Sequence, residues 1–449
     1  MTTKDNQQST GRICVIGAGP SGLAAMKTLG QAGLNVTCFD GSPYIGGHWV
    51  IDNPTGRSSA YRSLRTNTTK KMSRFSDFPL PEEWPEFPGF EKVREWLESY
   101  VDHVDFRRNI ELSTEVVKAE PLETGGWHVT LRPAGEAERI EQFDALVAAS
   151  GTYWDRKIPR WEGRFDGKIM HAQDYRSPDV LDVAGKHVVV VGIGNTGCEL
   201  ACELSRSTAA SVNLSARSGA WILPKTVDGA PASDSAPMTY PTDPVPEALI
   251  VMSEQQRDDA VIAMASAAIK ENHSERMKRF EELGLPSAPD HPFLKRPTIS
   301  QDLLHCLEDG ILLAKPDIER LDGDAVVFAN GERVDADIVI CATGYHLSYP
   351  YLAPDIADTS EDDLDLFCGI IPPDRRDLFY IGVSRPFGAF WPIAEAQAQF
   401  VAALLVGEYA LPAIEEIIRR TAPTLNRTAI TPGLYGLALR EELERGRKR

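Results

Sequence analysis

The chain has 449 residues, a formal net charge of −18, and is 42% hydrophobic and 25% charged, a composition expected of a globular protein with two or three cored domains. The acidic balance argues against nucleic acid or an anionic membrane as partner, because both attract basic patches. The longest apolar stretches fall well short of the ~18 residues that a membrane span needs, and Met1–Thr10 has no apolar signal core, so no membrane span and a cytoplasmic protein are expected.

The first element is a short β-branched strand, Arg12–Ile16, which stops at Gly17-Ala18-Gly19-Pro20-Ser21-Gly22 and gives way to a helical pattern from Leu23. Strand, glycine turn and helix are the order in which a pyrophosphate is held. Gly17 makes the turn, Gly19 lets backbone approach, and Gly22 lets the helix pack close. The helix N-terminus supplies free N–H groups and a favourable dipole. A second strand, Asn35–Phe39, ends in Asp40, an acid at the spacing of one that binds a ribose diol. This site reads as FAD. Gly47, His48 and Trp49 then offer close backbone approach and an aromatic face beside a flavin. The stretch from Tyr61 to Pro88, which contains Thr66, has the composition of a loop wrapping a ligand. A helix over 89–103 and strands over 114–120 and 126–132 follow. Val117, on the first of these strands, and Thr66 complete the early FAD set. The strand 145–149 ends at Ser150-Gly151, another place for close approach.

A second copy of the pattern begins at Lys186–Val191 and runs through Gly192-Ile193-Gly194-Asn195-Thr196-Gly197 into a helix. Its next strand, Ser211–Ser215, ends without an acid and runs into Ala216-Arg217-Ser218. Arg217 with a hydroxyl there suits a 2′-phosphate that a carboxylate would repel, so this site reads as NADPH, with Ser215 and Arg217 among its candidate residues. A long insertion from about 221 to 298 follows, loop-rich and then helical from roughly 246 to 283, a natural lid or substrate wall. The strand 336–341 with Ala342-Thr343-Gly344-Tyr345 mirrors the earlier Ser150-Gly151 strand end. A last strand at 378–382 and a helix over 393–407 close the pattern, with Glu395 and Gln397 in the helix's first turn as candidates to contact or orient FAD. The expected fold is α/β, with two Rossmann-like dinucleotide-binding domains of the three-layer ββα type and the NADPH domain inserted in the FAD domain. The expected boundaries are 1–170 and 336–449 for FAD and 171–335 for NADPH. The basic run Arg445–Arg449 reads as a solvated end.

Flavin and nicotinamide in one chain imply hydride transfer from NADPH to FAD, and the residues narrow the final acceptor. A disulfide reductase needs a redox cysteine pair beside the flavin. The seven cysteines show no such pair, and Cys198 and Cys202 are one helical turn apart behind the second phosphate loop. The nine histidines are scattered, so no metal site is expected. Dioxygen remains, with a small-molecule substrate as the other partner; a homodimer is compatible with this reading.

The segment Phe165-Asp166-Gly167-Lys168-Ile169-Met170-His171-Ala172-Gln173-Asp174-Tyr175 resembles the F-x-G-x-x-x-H-x-x-x-Y/F signature of flavin-containing monooxygenases, carried by Phe165, Gly167, His171 and Tyr175. Tyr61–Thr68, Phe75–Pro79, Ala342–Tyr345 and Pro392–Ala398 match the family in its order. The resemblance implies that NADPH reduces FAD, NADP⁺ stays bound, O₂ adds at flavin C4a, and the hydroperoxide oxygenates a soft nucleophile, an amine nitrogen or a sulfide sulfur. It assigns Asn67 to the family's active-site asparagine and His171 to the interdomain connector. Baeyer–Villiger relatives end the related signature in Trp followed by Pro or Asp. Tyr175-Arg176 stands here, which favours heteroatom oxygenation without excluding ketones. The polar tail after Thr421 lacks the apolar anchor of animal members, as expected of a bacterial-type form. An NADPH oxidase or diaphorase, passing electrons without oxygen transfer, is the alternative from another class; an inactive nucleotide-binding protein is disfavoured by two intact fingerprints.

Overall fold

The computed structural model describes residues 11–235, 238–384, 387–423 and 431–447. Residues 1–10, 236–237, 385–386, 424–430 and 448–449 lie outside the described residues, and with them Met1–Thr10, part of the 221–298 insertion, part of the polar tail after Thr421 and the end of the basic run Arg445–Arg449.

Two five-stranded parallel sheets organise the chain. The first runs Leu378–Tyr380, Ala145–Ala148, Arg12–Ile16, Asn35–Phe39, Ile110–Glu111; the second runs Lys168–His171, Ile338–Cys341, His187–Val191, Ser211–Ser215, Leu313–Lys315. Each central strand alternates between two cores, as a period of two requires. In the first sheet Ile13 and Val15 face the helices, while Cys14 and Ile16 face a three-stranded antiparallel layer. In the second, Val188 and Val190 face helices, while Val189 and Val191 face the sheet built from Glu162–Phe165, Ile318–Gly323, Ala325–Phe328 and Arg333–Asp335. Both units are therefore Rossmann-like and three-layered, and the second is nested in the first.

Strand membership moves the expected boundaries. Lys168–His171 and Ile338–Cys341 both belong to the second sheet, so the breaks at 170/171 and 335/336 do not follow its edges. The reason is symmetry: Ile338–Cys341 takes beside His187–Val191 the place that Ala145–Ala148 takes beside Arg12–Ile16.

The insertion is pinched at its neck, where Ile222-Leu223 pairs in parallel with Thr298-Ile299. Its helical part is a short Glu247–Ile250 turn and then one 29-residue helix, Glu254–Glu282. The break falls before Ser253, whose side chain accepts from Gln256 N–H while the Gln256 side chain returns to Ser253 N–H, a reciprocal cap that starts a new helix. Arg257, nearly fully buried, pairs with Glu441 of the helix Pro432–Arg445 at 2.5 Å. That contact joins the insertion to the chain's last helix. Among the described residues no helix is long and apolar enough to cross a membrane.

Candidate active site

The glycine positions are dictated by backbone rather than by side-chain chemistry. A Cβ on Gly17 (φ +107°) would meet Ala149 O at 2.7 Å, and one on Gly22 would meet Gly17 O at 1.8 Å. The second loop repeats this: Gly192 (φ +109°) faces Ala342 O at 2.7 Å, and Gly197 faces Gly192 O at 1.8 Å. Gly19 and Gly194 differ. They are the N-caps of the helices Pro20–Gln31 and Asn195–Ser205 and carry no side-chain cap. A Cβ on Gly194 would meet nothing within 4 Å, and one on Gly19 only the Gly47 backbone, at ordinary contact distances of 3.5 Å to Cα and 3.8 Å to N. Each helix thus leaves its first-turn N–H groups and room for an anion.

Both loops open into one cavity of about 1230 Å³. Gly17, Gly19, Pro20, Ser21, Asp40, Gly47, His48, Trp49, Thr66, Asn67 and Val117 reach it from the first unit; Gly194, Asn195, Thr196 and His171 reach it from the second. Asp40 Oδ2 accepts from Ala18 N–H and Oδ1 from Ser42 N–H, both at 2.7 Å. Burial raises its carboxyl above the ordinary value and these two amides oppose the rise. Four polar atoms on the cavity lining are buried without a hydrogen-bond partner in the protein: Trp49 Nε1, Thr66 Oγ1 and Asn67 Oδ1 on the first unit and Glu199 Oε1 on the second. Buried polar groups are almost always paired, and the three of the first unit belong to the segments expected to face a flavin. The residues present fit FAD and NADPH.

Around the flavin end, His48 is held neutral: burial pushes its imidazole down to about 4. Trp49 lies edge-on to Trp391 at 6.0 Å, and Trp391 stacks on Trp96 at 5.0 Å. The insertion helix lines the far wall with Val261, Met264, Ala265, Ala268 and Ile269, one helical stripe. Phe293, Phe387, Phe390 and Trp391 also line the cavity. These apolar walls limit water at that end. The second loop is strapped to the insertion neck, with Asn195 Oδ1 accepting from Ile299 N–H at 2.8 Å and Thr298 Oγ1 donating to Ile193 O at 2.7 Å.

Several expected contacts act elsewhere. Ser215 is fully buried and its hydroxyl donates to Pro316 O at 2.8 Å, so it braces the strand end instead of reaching a phosphate. Gln397 is also fully buried and off the cavity; its Oε1 accepts from Gly382 N–H at 2.9 Å and its Nε2 donates to Gly369 O, Ser384 Oγ and Tyr435 Oη. It holds Gly382, which does line the cavity, because its position behind the helix start turns it into the interior. Glu395 is likewise internal, tied to Lys27 Nζ at 3.1 Å and to Ser76 N–H and Oγ. Arg217 is exposed and outside the cavity proper. Gly22, Gly192 and Gly197 serve by packing, as above.

Of the signature, Gly167 admits no side chain, since a Cβ would lie 2.4 Å from Asp337 O. Phe165 packs on the second unit's sheet-to-sheet core. His171 is nearly fully buried with both nitrogens engaged: Nδ1 accepts from Gln173 N–H at 3.1 Å and Nε2 faces Gly344 O at 3.0 Å. Burial lowers its pKa, so the ring is a neutral bracket between strand ends. Tyr175 donates to Glu203 Oε2 at 2.9 Å.

Sequence reading passed over Glu199, Lys225, Arg296 and Lys295. Glu199 and Lys225 line the cavity and lie 3.5 Å apart. Arg296 lines it with its guanidinium over the Phe390 ring at 5.6 Å. Lys295 donates to Ser218 Oγ at 2.5 Å, which puts a second cation near Arg217. A spacing signal existed only for Glu199, one turn into the helix after the second glycine loop.

The chain matches the family described as flavin-binding monooxygenase-like over residues 10–431, and it belongs to that family. It is 32% identical over 421 residues to flavin-containing monooxygenase 3 of Macaca mulatta, covering 91% of this chain and 76% of that protein. It is also 32% identical over 437 residues to dimethylaniline monooxygenase [N-oxide-forming] 2 of Mus musculus, covering 92% and 78%. Among solved structures, cyclohexanone monooxygenase from Rhodococcus sp. Phi1 bound to NADP⁺ superimposes with a TM-score of 0.70 at 20% identity, covering 97% of each chain. S-allyl-L-cysteine S-oxygenase from Allium sativum gives 0.67 at 21%, covering 98% and 90%. The protein is a FAD-dependent NADPH monooxygenase.

Proposed function

We propose that the enzyme oxygenates a soft nucleophile, an amine nitrogen or a sulfide sulfur. The observation that carries this reading is Asn67: a part-buried amide whose oxygen is buried and unpartnered, in the cavity where both glycine loops open. FAD, when bound, supplies the electrons and the site of oxygen activation. The protein's part is to hold and exclude. The helices starting at Pro20 and Asn195 bind the two pyrophosphates, Asp40 accepts from a ribose diol, and Arg217 with Lys295 attracts a 2′-phosphate. Asn67 hydrogen-bonds the reacting end from an amide fixed before charge develops. The apolar face of the insertion helix keeps water out.

Tyr175-Arg176 favours heteroatom over ketone oxygenation, and the N-oxide-forming name of a relative at 32% identity points the same way. The cyclohexanone monooxygenase likeness, at 20% identity, bears on fold alone. Stopped-flow spectroscopy tests the reading: NADPH-reduced enzyme mixed with O₂ should show a long-lived near-ultraviolet band distinct from oxidised and reduced flavin, which decays faster when a sulfide or amine is added. Direct return to oxidised flavin, with peroxide as the product, would instead mark an oxidase.

A further inference from the structure

The helix Asn195–Ser205 starts on the NADPH loop, and one and two turns in it carries Glu199 and Glu203. Four residues apart, they share a face, and that face meets the segment that leads to Asn67. Glu199 Oε2 accepts from the Tyr61 hydroxyl. Glu203 Oε2 accepts from Ser63 Oγ at 2.8 Å and from the Tyr175 hydroxyl at 2.9 Å. The Tyr61 and Tyr175 rings meet edge-to-face at 6.1 Å. Beyond these anchors Arg62 N–H donates to Arg176 O at 2.8 Å and Thr66 N–H to Pro88 O at 3.0 Å, so the strip from Tyr61 to Asn67 is pinned along its length.

Stability does not account for this arrangement. Two carboxylates on neighbouring turns repel, and a buried charge is costly unless fully paired. Glu199 has one cation near it, Lys225, whose ammonium lies 3.5 Å from Oε1, an oxygen with no closer partner. Burial pushes its carboxyl above the ordinary range despite Lys225 and Tyr61.

We propose that Glu199 and Glu203 are positioning residues that couple occupancy of the NADPH loop to the placement of Asn67. A dinucleotide phosphate on the N–H groups at Asn195 and Thr196 stiffens the helix. The stiffened helix fixes the two carboxylates, and these hold Tyr61 and Ser63, six and four residues ahead of Asn67. Ordering shared between two sites is coupling without a large structural change. The proposal rests on Asn67 standing at the reacting end, as read above. It assigns the signature's Tyr175 a second anchor on the same helix.

Hydrogen exchange of the FAD-loaded enzyme, with and without NADP⁺, tests it. NADP⁺ should slow amide exchange over residues 61–67 by at least about 5-fold, the low end of an ordinary coupling free energy. The double variant Tyr61→Phe/Ser63→Ala should lose that slowing and release more peroxide per NADPH consumed. Glu199→Gln, whose carbonyl still accepts from Tyr61, should keep both, and FAD content monitors folding in each. Should the double variant lose FAD, the Glu203→Gln and Glu203→Leu pair replaces it, with protection retained only in the first. Equal NADP⁺ protection in wild type and double variant, or none in wild type, overturns the proposal. Failure of the oxygenation reading looks different: wild type would form no oxygenated product, whatever the exchange pattern.

Discussion

At the scale of single residues, the six fingerprint glycines divide by function. Four are forced by backbone contact and two leave space for a ligand, a split that the G-x-G-x-x-G pattern alone does not reveal. Gly197→Ala must push a Cβ against Gly192 O, 1.8 Å away, and overpacking of that kind costs about 1–3 kcal/mol. Denaturant unfolding should show that loss together with weakened NADP⁺ binding, and unchanged stability would refute the packing role. Asn67→Ala and Asn67→Asp should retain FAD while product per NADPH falls about 10-fold or more, since a fixed hydrogen-bond partner is lost; product and peroxide assays read the ratio. Arg217→Ala should raise the KM for NADPH about 10-fold, because a charge-assisted hydrogen bond is worth roughly 1.5–3 kcal/mol, and leave NADH little changed. Equal effects on the two cofactors would remove Arg217 from the phosphate site.

The packing role of the glycines and the place of Asp40 at a strand end on the cavity were legible because backbone sterics and strand ends leave a fixed spacing in the chain. Ser215 and Gln397 were misread for a related reason. A residue's place in sequence beside a cofactor loop says nothing about which way its side chain turns, and both turn inward, to Pro316 and to Gly382. Glu199 stands at a local spacing, one turn past the second loop, but its partners Tyr61 and Lys225 come from distant segments. No local pattern records such a meeting.

At the scale of elements, the strands were read closely, because burial on both faces leaves a continuous apolar, β-branched run in Ile13–Ile16 and in Val188–Val191. The insertion's helical stretch was legible as helix, but its break before Ser253 was not, since the capping box of Ser253 and Gln256 lies inside a polar run. Ser253→Ala removes a cap worth about 1 kcal/mol from the helix that walls the cavity. Its N-terminal amides should exchange faster with hardly any change in FAD binding. His48 lends the 47–49 turn a pH dependence. Its imidazole drops from the ordinary 6.5 to about 4 on burial, so the unfolded chain binds the proton more readily. Stability attached to keeping it neutral is present above about pH 6.5 and is lost as pH falls toward 4. Unfolding free energy measured across that window should decline, and His48→Gln should flatten the decline by the share of one proton. An identical slope in the variant would show that His48 does not sense pH.

At the scale of the whole molecule, nesting one dinucleotide unit inside another places both glycine loops on one cavity. The strand Ile338–Cys341 returns through the inner sheet before Leu378–Tyr380 rejoins the outer one. The sequence showed two units but set their seams slightly off, because a strand's membership is decided by its neighbours in the sheet and not by its own residues. The insertion, tied at its neck to the second glycine loop and through Arg257 to the last helix, walls the cavity with one face of its long helix. This architecture suits chemistry in which reduction, oxygen activation and transfer share a single dry space. Oxygen-18 labelling tests that account most directly. NADPH-reduced enzyme given labelled O₂ with an organic sulfide or a tertiary amine should yield sulfoxide or N-oxide carrying one labelled oxygen, in step with NADPH consumed. Label recovered only in peroxide, or in a lactone from a ketone while sulfide and amine stay unlabelled, would contradict it.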